Sequence, residues 1–207
     1  MRFCAGYGRG GTRSRAMPRG SLSLGQSRLP ERGMTLKILA ISGSLRRSSS
    51  NTTLLRAAAM LAPEGVEINL YEGLGDLPAF NPDIEDMDLP VVRDFQTRLR
   101  CAAAVVISSP EYAHGVPGAL KNALDWVVGS GELVDKPVAL LNASPYSRFA
   151  VASLTETLTV MTARLIPGAS VTLPLAGKKL DEAGIAEHPE TAPQLKSALE
   201  ALIAAAG

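Results

Sequence analysis

A chain of 207 residues with 46% hydrophobic content can fill one core of ordinary size, and its length argues against a second full domain. The net charge of +1 hides an asymmetry: residues 1–33 hold seven Arg and one acid, whereas the remainder carries fourteen Lys and Arg against nineteen Asp and Glu, a balance of −5. A mildly acidic core has the wrong sign for a nucleic-acid binder. No run approaches the roughly 20 apolar residues of a spanning helix, and Cys4 and Cys101 give no disulfide framework. A soluble protein of a reducing cytoplasm is expected.

Residues 1–33 are rich in Gly, Arg and Ser without apolar period, which predicts a disordered basic extension ahead of one domain over 34–207. Gly6, Gly8 and Gly11 spell GxGxxG there, but no strand precedes them and no amphipathic helix follows, so the dinucleotide fingerprint lacks its context. From Leu36 onward short apolar runs alternate with segments of helical period. Strands are expected at Leu36–Ser42, Val66–Tyr71, Ala103–Ser108, Pro137–Asn142 and Ala169–Leu173. Helical faces are marked by Leu54, Leu55, Ala58 and Leu61, by Leu120, Ala123, Leu124 and Val127, by Val151, Leu154, Leu158 and Met161, and by Leu195, Leu199 and Leu202, with a further helix over Pro90–Ala102. Five strands alternating with five helices predict a flavodoxin-like, doubly wound five-stranded parallel α/β sheet of order 2-1-3-4-5, helices on both faces.

Three segments follow strands, where an open parallel sheet binds its ligands. The first, Gly43–Thr53, is a small-polar loop running into a helix whose free N–H groups favour an anion. Ser44, Ser50, Asn51 and Thr52 offer side-chain donors, and Arg46 or Arg47 a guanidinium, to a phosphate. The alternative is a polar loop that ends in an N-cap, for which Ser and Asn are common on local grounds. The GxxxxGK[ST] spacing of a P-loop is absent.

The second segment, Ser108–Trp126, reads SSPEYAHGVPGALKNALDW. Pro110, Gly115, Pro117 and Gly118 shape a tight loop and start a helix, so that main-chain groups can approach a planar ring closely. Together with the GSLR…SxN loop, this PEY…GxPGxLKNAxDW string resembles the NADPH-dependent FMN reductase family, whose relatives include quinone, azo-dye and chromate reductases. The resemblance extends over most of 34–207. It implies FMN as cofactor, NADPH or NADH as co-substrate, and Pro110, Glu111, Tyr112 and Ala113 lining the isoalloxazine. His114 stands at the mouth, where a solvent-exposed or structural role outranks proton donation. Lys121, Asn122, Asp125 and Trp126 read as helix packing and subunit contact.

The third segment, Asn142–Ala150, meets the pyrimidine end of the ring in that family and is commonly Gly-rich there. Here Tyr146, Ser147, Phe149 and Ala150 stand where glycines are expected, while Ser144 and Arg148 suit a carbonyl-rich edge and the charge of a reduced flavin. Cys101, Met60, Met87 and Met161 read as buried packing residues. His114 and His188 are too far apart for a zinc-ligand spacing, and Asp83, Glu85, Asp86 and Asp88 read as a solvated loop. No metal and no catalytic acid–base set is expected.

The resemblance therefore implies an oxidoreductase in which a pyridine nucleotide gives a hydride to flavin N5 and the reduced flavin passes electrons to a flavin, a quinone or a similar small molecule, with ping-pong kinetics. It also implies a homodimer or homotetramer. Two other readings stay open: a flavodoxin-type electron carrier, against which the modest charge of the core counts, and a flavin-free adapter on the same fold.

Overall fold

The structure is a computed structural model, described for residues 35–85, 87–175 and 177–207; the expected extension over 1–33 lies outside the described residues. Strand β1 spans Leu36–Ser42, β2 Val66–Tyr71, β3 Ala104–Ser108 and β4 Pro137–Asn142. All four run parallel, in the order β2-β1-β3-β4, and register pairs Ile38 with Ile68 and Ser42 with Ser108. Every residue of β3 and β4 is buried. That burial on both faces is why these runs are continuously apolar rather than alternating.

Helices α1 (Ser50–Met60) and α6 (Thr191–Ala206) cover one sheet face, with Leu54, Leu55, Leu195, Leu199 and Leu202 packed against Ile38, Ala40, Val106 and Ala139. Helices α2 (Pro90–Cys101), α3 (Gly118–Asp125) and α4 (Arg148–Val160) cover the other, with Phe95, Leu99, Leu120, Leu124, Leu154 and Leu158 against Leu39, Ile41, Val105 and Ile107. The chain steps from β1 to β2 and then returns across β1 to β3, so the winding reverses between β1 and β3. That reversal opens a crevice beyond the carboxyl ends of these two strands.

The fifth strand position departs from expectation. In place of one strand over Ala169–Leu173, β5 (Arg164–Leu165) pairs with the start of β4 and β6 (Val171–Thr172) with its end. Between them Pro167, which has no N–H to offer a ladder, begins a single 3-10 turn over Pro167–Ala169. The Ser170 hydroxyl fills the gap by accepting the Leu140 N–H at 3.1 Å. A short helix, α5 (Glu182–Glu187), was not foreseen; Asp181 caps it by accepting the Gly184 N–H at 2.7 Å.

Three packing assignments, Cys101, Met60 and Met87, are corrected. Cys101 is exposed, because Val92, Phe95 and Leu99 form the inward face of α2 and Cys101 falls outside it. Met60 and Met87 are also exposed, the first on the side of α1 opposite Leu54 and Leu55, the second beside the solvated acids; Met161 is buried as expected. The described acids of that loop, Asp83, Glu85 and Asp88, are exposed.

Tyr71, the last residue of β2, is buried against Phe95, and its hydroxyl has no partner among the described residues. Burial pushes its phenol up from 10.0 to about 12. Because the folded value lies above the unfolded one, the fold retains a proton that the unfolded chain releases. Stability is therefore lost as pH rises from 10 to 12, by about 2–3 kcal/mol from this group. Tyr71→Phe is expected to flatten that alkaline loss and to leave neutral stability unchanged or higher, since it removes an unsatisfied buried hydroxyl. Urea unfolding of parent and variant at neutral pH and at pH 10 to 12 checks both.

Candidate functional site

The three loops foreseen from sequence meet at the carboxyl end of the sheet. The first leaves β1 at Gly43, whose N–H donates to the Ser108 carbonyl at 2.8 Å. A Cβ on Gly43 would lie 2.5 Å from Ser109 Oγ, so a larger residue would have to displace the Ser109 side chain where the first and second loops meet. Ser49, not Ser50, is the N-cap of α1, its hydroxyl accepting the Thr52 N–H at 3.4 Å. Ser50 is exposed at the first helical position, and the N–H groups of Ser50 and Asn51 have no partner among the described residues.

The side chains of Asn51 and Thr52 turn inward. Ser108 donates to Asn51 Oδ1 at 2.9 Å, and Thr52 Oγ1 shares a hydrogen bond with Ser42 Oγ at 2.7 Å. Both side chains thus tie α1 to the strand ends, because buried polar groups satisfy one another. Ser44 is half-buried, its N–H donating to Ser42 Oγ at 3.3 Å and its hydroxyl accepting the Arg46 N–H at 3.3 Å. The Arg46 and Arg47 side chains are exposed, without an ion-pair partner among the described residues.

In the second loop Tyr112 and Gly115 exchange both backbone hydrogen bonds, at 3.1 and 2.9 Å, and close a two-residue turn. Its central residues, Ala113 and His114, have φ of +48° and +58°. This is the left-handed region, which costs an ordinary residue about 1–2 kcal/mol. Such strain persists only where neighbours enforce it. The N–H groups of Glu111, Ala113 and His114 have no partner among the described residues. Pro110 is half-buried and its carbonyl accepts the Ser109 hydroxyl at 3.0 Å; the Tyr112 ring is 57% exposed.

Behind this loop α3 is anchored by residues that sequence reading assigned to packing. Asn122 accepts the Phe80 N–H at 2.7 Å and donates to the Pro78 carbonyl at 2.9 Å, and the Trp126 indole donates to the same carbonyl at 2.8 Å. Lys121 and Asp125 form an ion pair on the outer face of α3.

In the third loop the Ser144 N–H donates to Asn142 Oδ1 at 3.2 Å, and the Ser144 hydroxyl accepts the Tyr146 N–H at 3.3 Å. Tyr146 is 81% exposed. The Arg148 guanidinium lies 4.9 Å from the centre of the Phe149 ring, and His114 stacks on that ring at 4.1 Å. Phe149 was not foreseen as a site residue; nothing in a local pattern announces a stack between residues on different loops. Glu111, expected to line the ring through main-chain groups, directs its carboxylate to the start of α4.

Taken as a cradle for a flavin mononucleotide, the crevice fits at its phosphate end. The helix N–H groups of Ser50 and Asn51 and the Arg46 guanidinium, all without a partner among the described residues, make with the Ser44 and Ser50 hydroxyls a donor set suited to a dianion. It also fits along the second loop, whose three free N–H groups suit a polar ring edge. Third-loop donors are largely consumed within the protein. Among the described residues no group of three or more His, Cys, Asp or Glu is placed to hold a metal ion, and no helix is long and apolar enough to cross a membrane.

The chain is 38% identical over 112 residues to an NAD(P)H-dependent FMN reductase of Pseudomonas aeruginosa, a match covering 53% of this chain and 60% of that protein. It is 36% identical over 106 residues to a quinone reductase of Escherichia coli, covering 50% of this chain and 55% of that one. The chain thus spans somewhat over half the length of these curated relatives. In structure it is similar to FerB, a flavoenzyme NAD(P)H:(acceptor) oxidoreductase of Paracoccus denitrificans, with a TM-score of 0.63 and 26% identity over 82% of this chain and 96% of that one. A family model described as NADPH-dependent FMN reductase matches residues 36–178, which include all three loops and every strand, and the chain belongs to that family.

Proposed function

We propose that the protein is an NAD(P)H-dependent FMN oxidoreductase that reduces a small-molecule acceptor of quinone type. The observation that carries this reading is the pairing, at the β1–β3 reversal, of a phosphate-sized donor set on the first loop with a free N–H edge on the second. The family and the names of the relatives support it. When bound, FMN would supply the two-electron transfer between pyridine nucleotide and acceptor.

The work of the chain is binding and exposure. Ser44, Arg46 and Ser50, with the N–H groups of Ser50 and Asn51, hold the phosphate. Asn51 and Thr52 act by fixing α1 against β1 and β3. Main-chain groups of Pro110, Glu111, Tyr112 and Ala113 meet the ring, and Ser144 and Arg148 stand at its far end. The exposed Tyr112, Tyr146 and Phe149 side chains give the open face an aromatic rim suited to flat apolar acceptors. One face then serves nucleotide and acceptor in turn, which gives ping-pong kinetics. We further propose a homo-oligomer of the cytoplasm.

Fluorescence titration of the full chain with FMN and with riboflavin tests the site. Tighter binding of FMN is expected, and equal affinities would remove the phosphate cradle. Rapid anaerobic bleaching of the bound flavin by NADPH or NADH is expected of the reductase. Slow bleaching would favour an electron carrier, and binding of neither flavin would favour an adapter.

A further inference from the structure

Helix α4 lacks a cap of its own. Ser147 occupies its N-cap position but makes no side-chain cap bond, and its first turn contains no acid. The cap comes from elsewhere in the chain: Glu111 Oε2 accepts the N–H groups of Phe149 at 2.8 Å and Ala150 at 2.9 Å. A carboxylate is the best occupant of a helix N-terminus, because it satisfies orphan donors and complements their partial positive charge. Here it also joins two loops. Glu111 lies one residue before the strained turn closed by Tyr112 and Gly115, and within that turn His114 stacks on Phe149, the residue whose N–H Glu111 holds. The ring-facing loop is therefore fastened to α4 at two points, one charged and one aromatic.

We propose that Glu111 is a positioning residue: by capping α4 across the crevice it holds the strained second loop against the third and keeps the cofactor cleft formed before the cofactor enters. Its carboxylate faces α4 rather than the ring, so it acts through the backbone of the second loop. The cofactor arm of this inference rests on the FMN reading above; the tether itself does not.

The test uses the full chain and three variants: Glu111→Gln, Glu111→Ala, and Glu111→Ala combined with Ser147→Asp. The last gives α4 a local cap without restoring the link between loops. In the protein without flavin, amide hydrogen exchange at Tyr112 and Gly115 is expected to quicken in Glu111→Ala, less in Glu111→Gln, and to stay fast in the double variant even though the latter recovers the melting midpoint. FMN binding is expected to weaken about tenfold in Glu111→Ala, the scale of losing charge-assisted hydrogen bonds, and to remain weak in the double variant. Unchanged exchange at Tyr112 and Gly115 in Glu111→Ala would overturn the proposal, as would recovery of slow exchange on adding the local cap. If the parent binds no flavin, the FMN reading falls, and the exchange measurements still decide the tether.

Discussion

Trp126→Ala is expected to lower the unfolding free energy by about 3–5 kcal/mol, the usual loss for truncating a fully buried aromatic side chain. Trp126 is 2% exposed, meets Phe80 edge-on at 5.1 Å between ring centres, and donates its indole N–H to the Pro78 carbonyl. The carbonyl keeps Asn122 as a partner, so the loss arises mainly from the cavity and from the freed edge of Phe80. Because α3 starts directly after the ring-facing loop, loosening its far end is also expected to broaden that loop's conformations. Trp126 is the one tryptophan of the chain, so far-ultraviolet circular dichroism in urea, not intrinsic fluorescence, is the suitable comparison of parent and variant. A loss below about 1 kcal/mol would mean that the neighbouring side chains collapse into the space.

Arg46→Ala is expected to weaken FMN binding by about 1.5–3 kcal/mol, the worth of a hydrogen bond to a charged group. Its side chain has no ion-pair partner among the described residues, so none of them competes for it. Arg47→Ala is expected to do less. Ser50→Ala is expected to weaken FMN while leaving riboflavin nearly unaffected, since riboflavin has no phosphate for the hydroxyl to meet. Calorimetric titration of the three variants with both ligands separates these effects. Parent-like FMN affinity in both Arg46→Ala and Ser50→Ala would reduce the first loop to a helix cap and move the phosphate elsewhere.

Strands β3 and β4 were legible because a strand buried on both faces is a short continuous apolar run, and the edge strand β2 because Glu67 and Asn69 alternate with its apolar residues. The fifth strand was less so. Apolar content around Ala169–Leu173 promised a strand, yet Pro167 breaks the ladder and a serine hydroxyl completes it, a compensation visible only with Leu140 alongside. Helix α5 did carry a local signal, Asp181 ahead of the turn it caps, but six residues are too few to show a helical period.

At the site, residue types and their order along the chain determined where the loops lie and which groups a phosphate or a ring edge could use. They did not determine which way those groups point. Asn51 and Thr52 read as donors toward a ligand, and the structure adds a second use: Asn51 Oδ1 accepts from Ser108 and Thr52 Oγ1 shares a hydrogen bond with Ser42, fastening α1 to the sheet. Glu111 read as lining the ring through its main chain, and what its carboxylate does was not legible: it caps the start of α4, accepting the N–H of Phe149, 38 residues further on. The sequence by itself thus determined the doubly wound sheet, the crevice at its reversal and the family, because periodicity, turn chemistry and motif spacing are local properties. Only the tertiary structure decided the partners of buried polar groups. Each such group takes whichever donor or acceptor folding brings within reach, and that neighbour is set by the packing of distant segments.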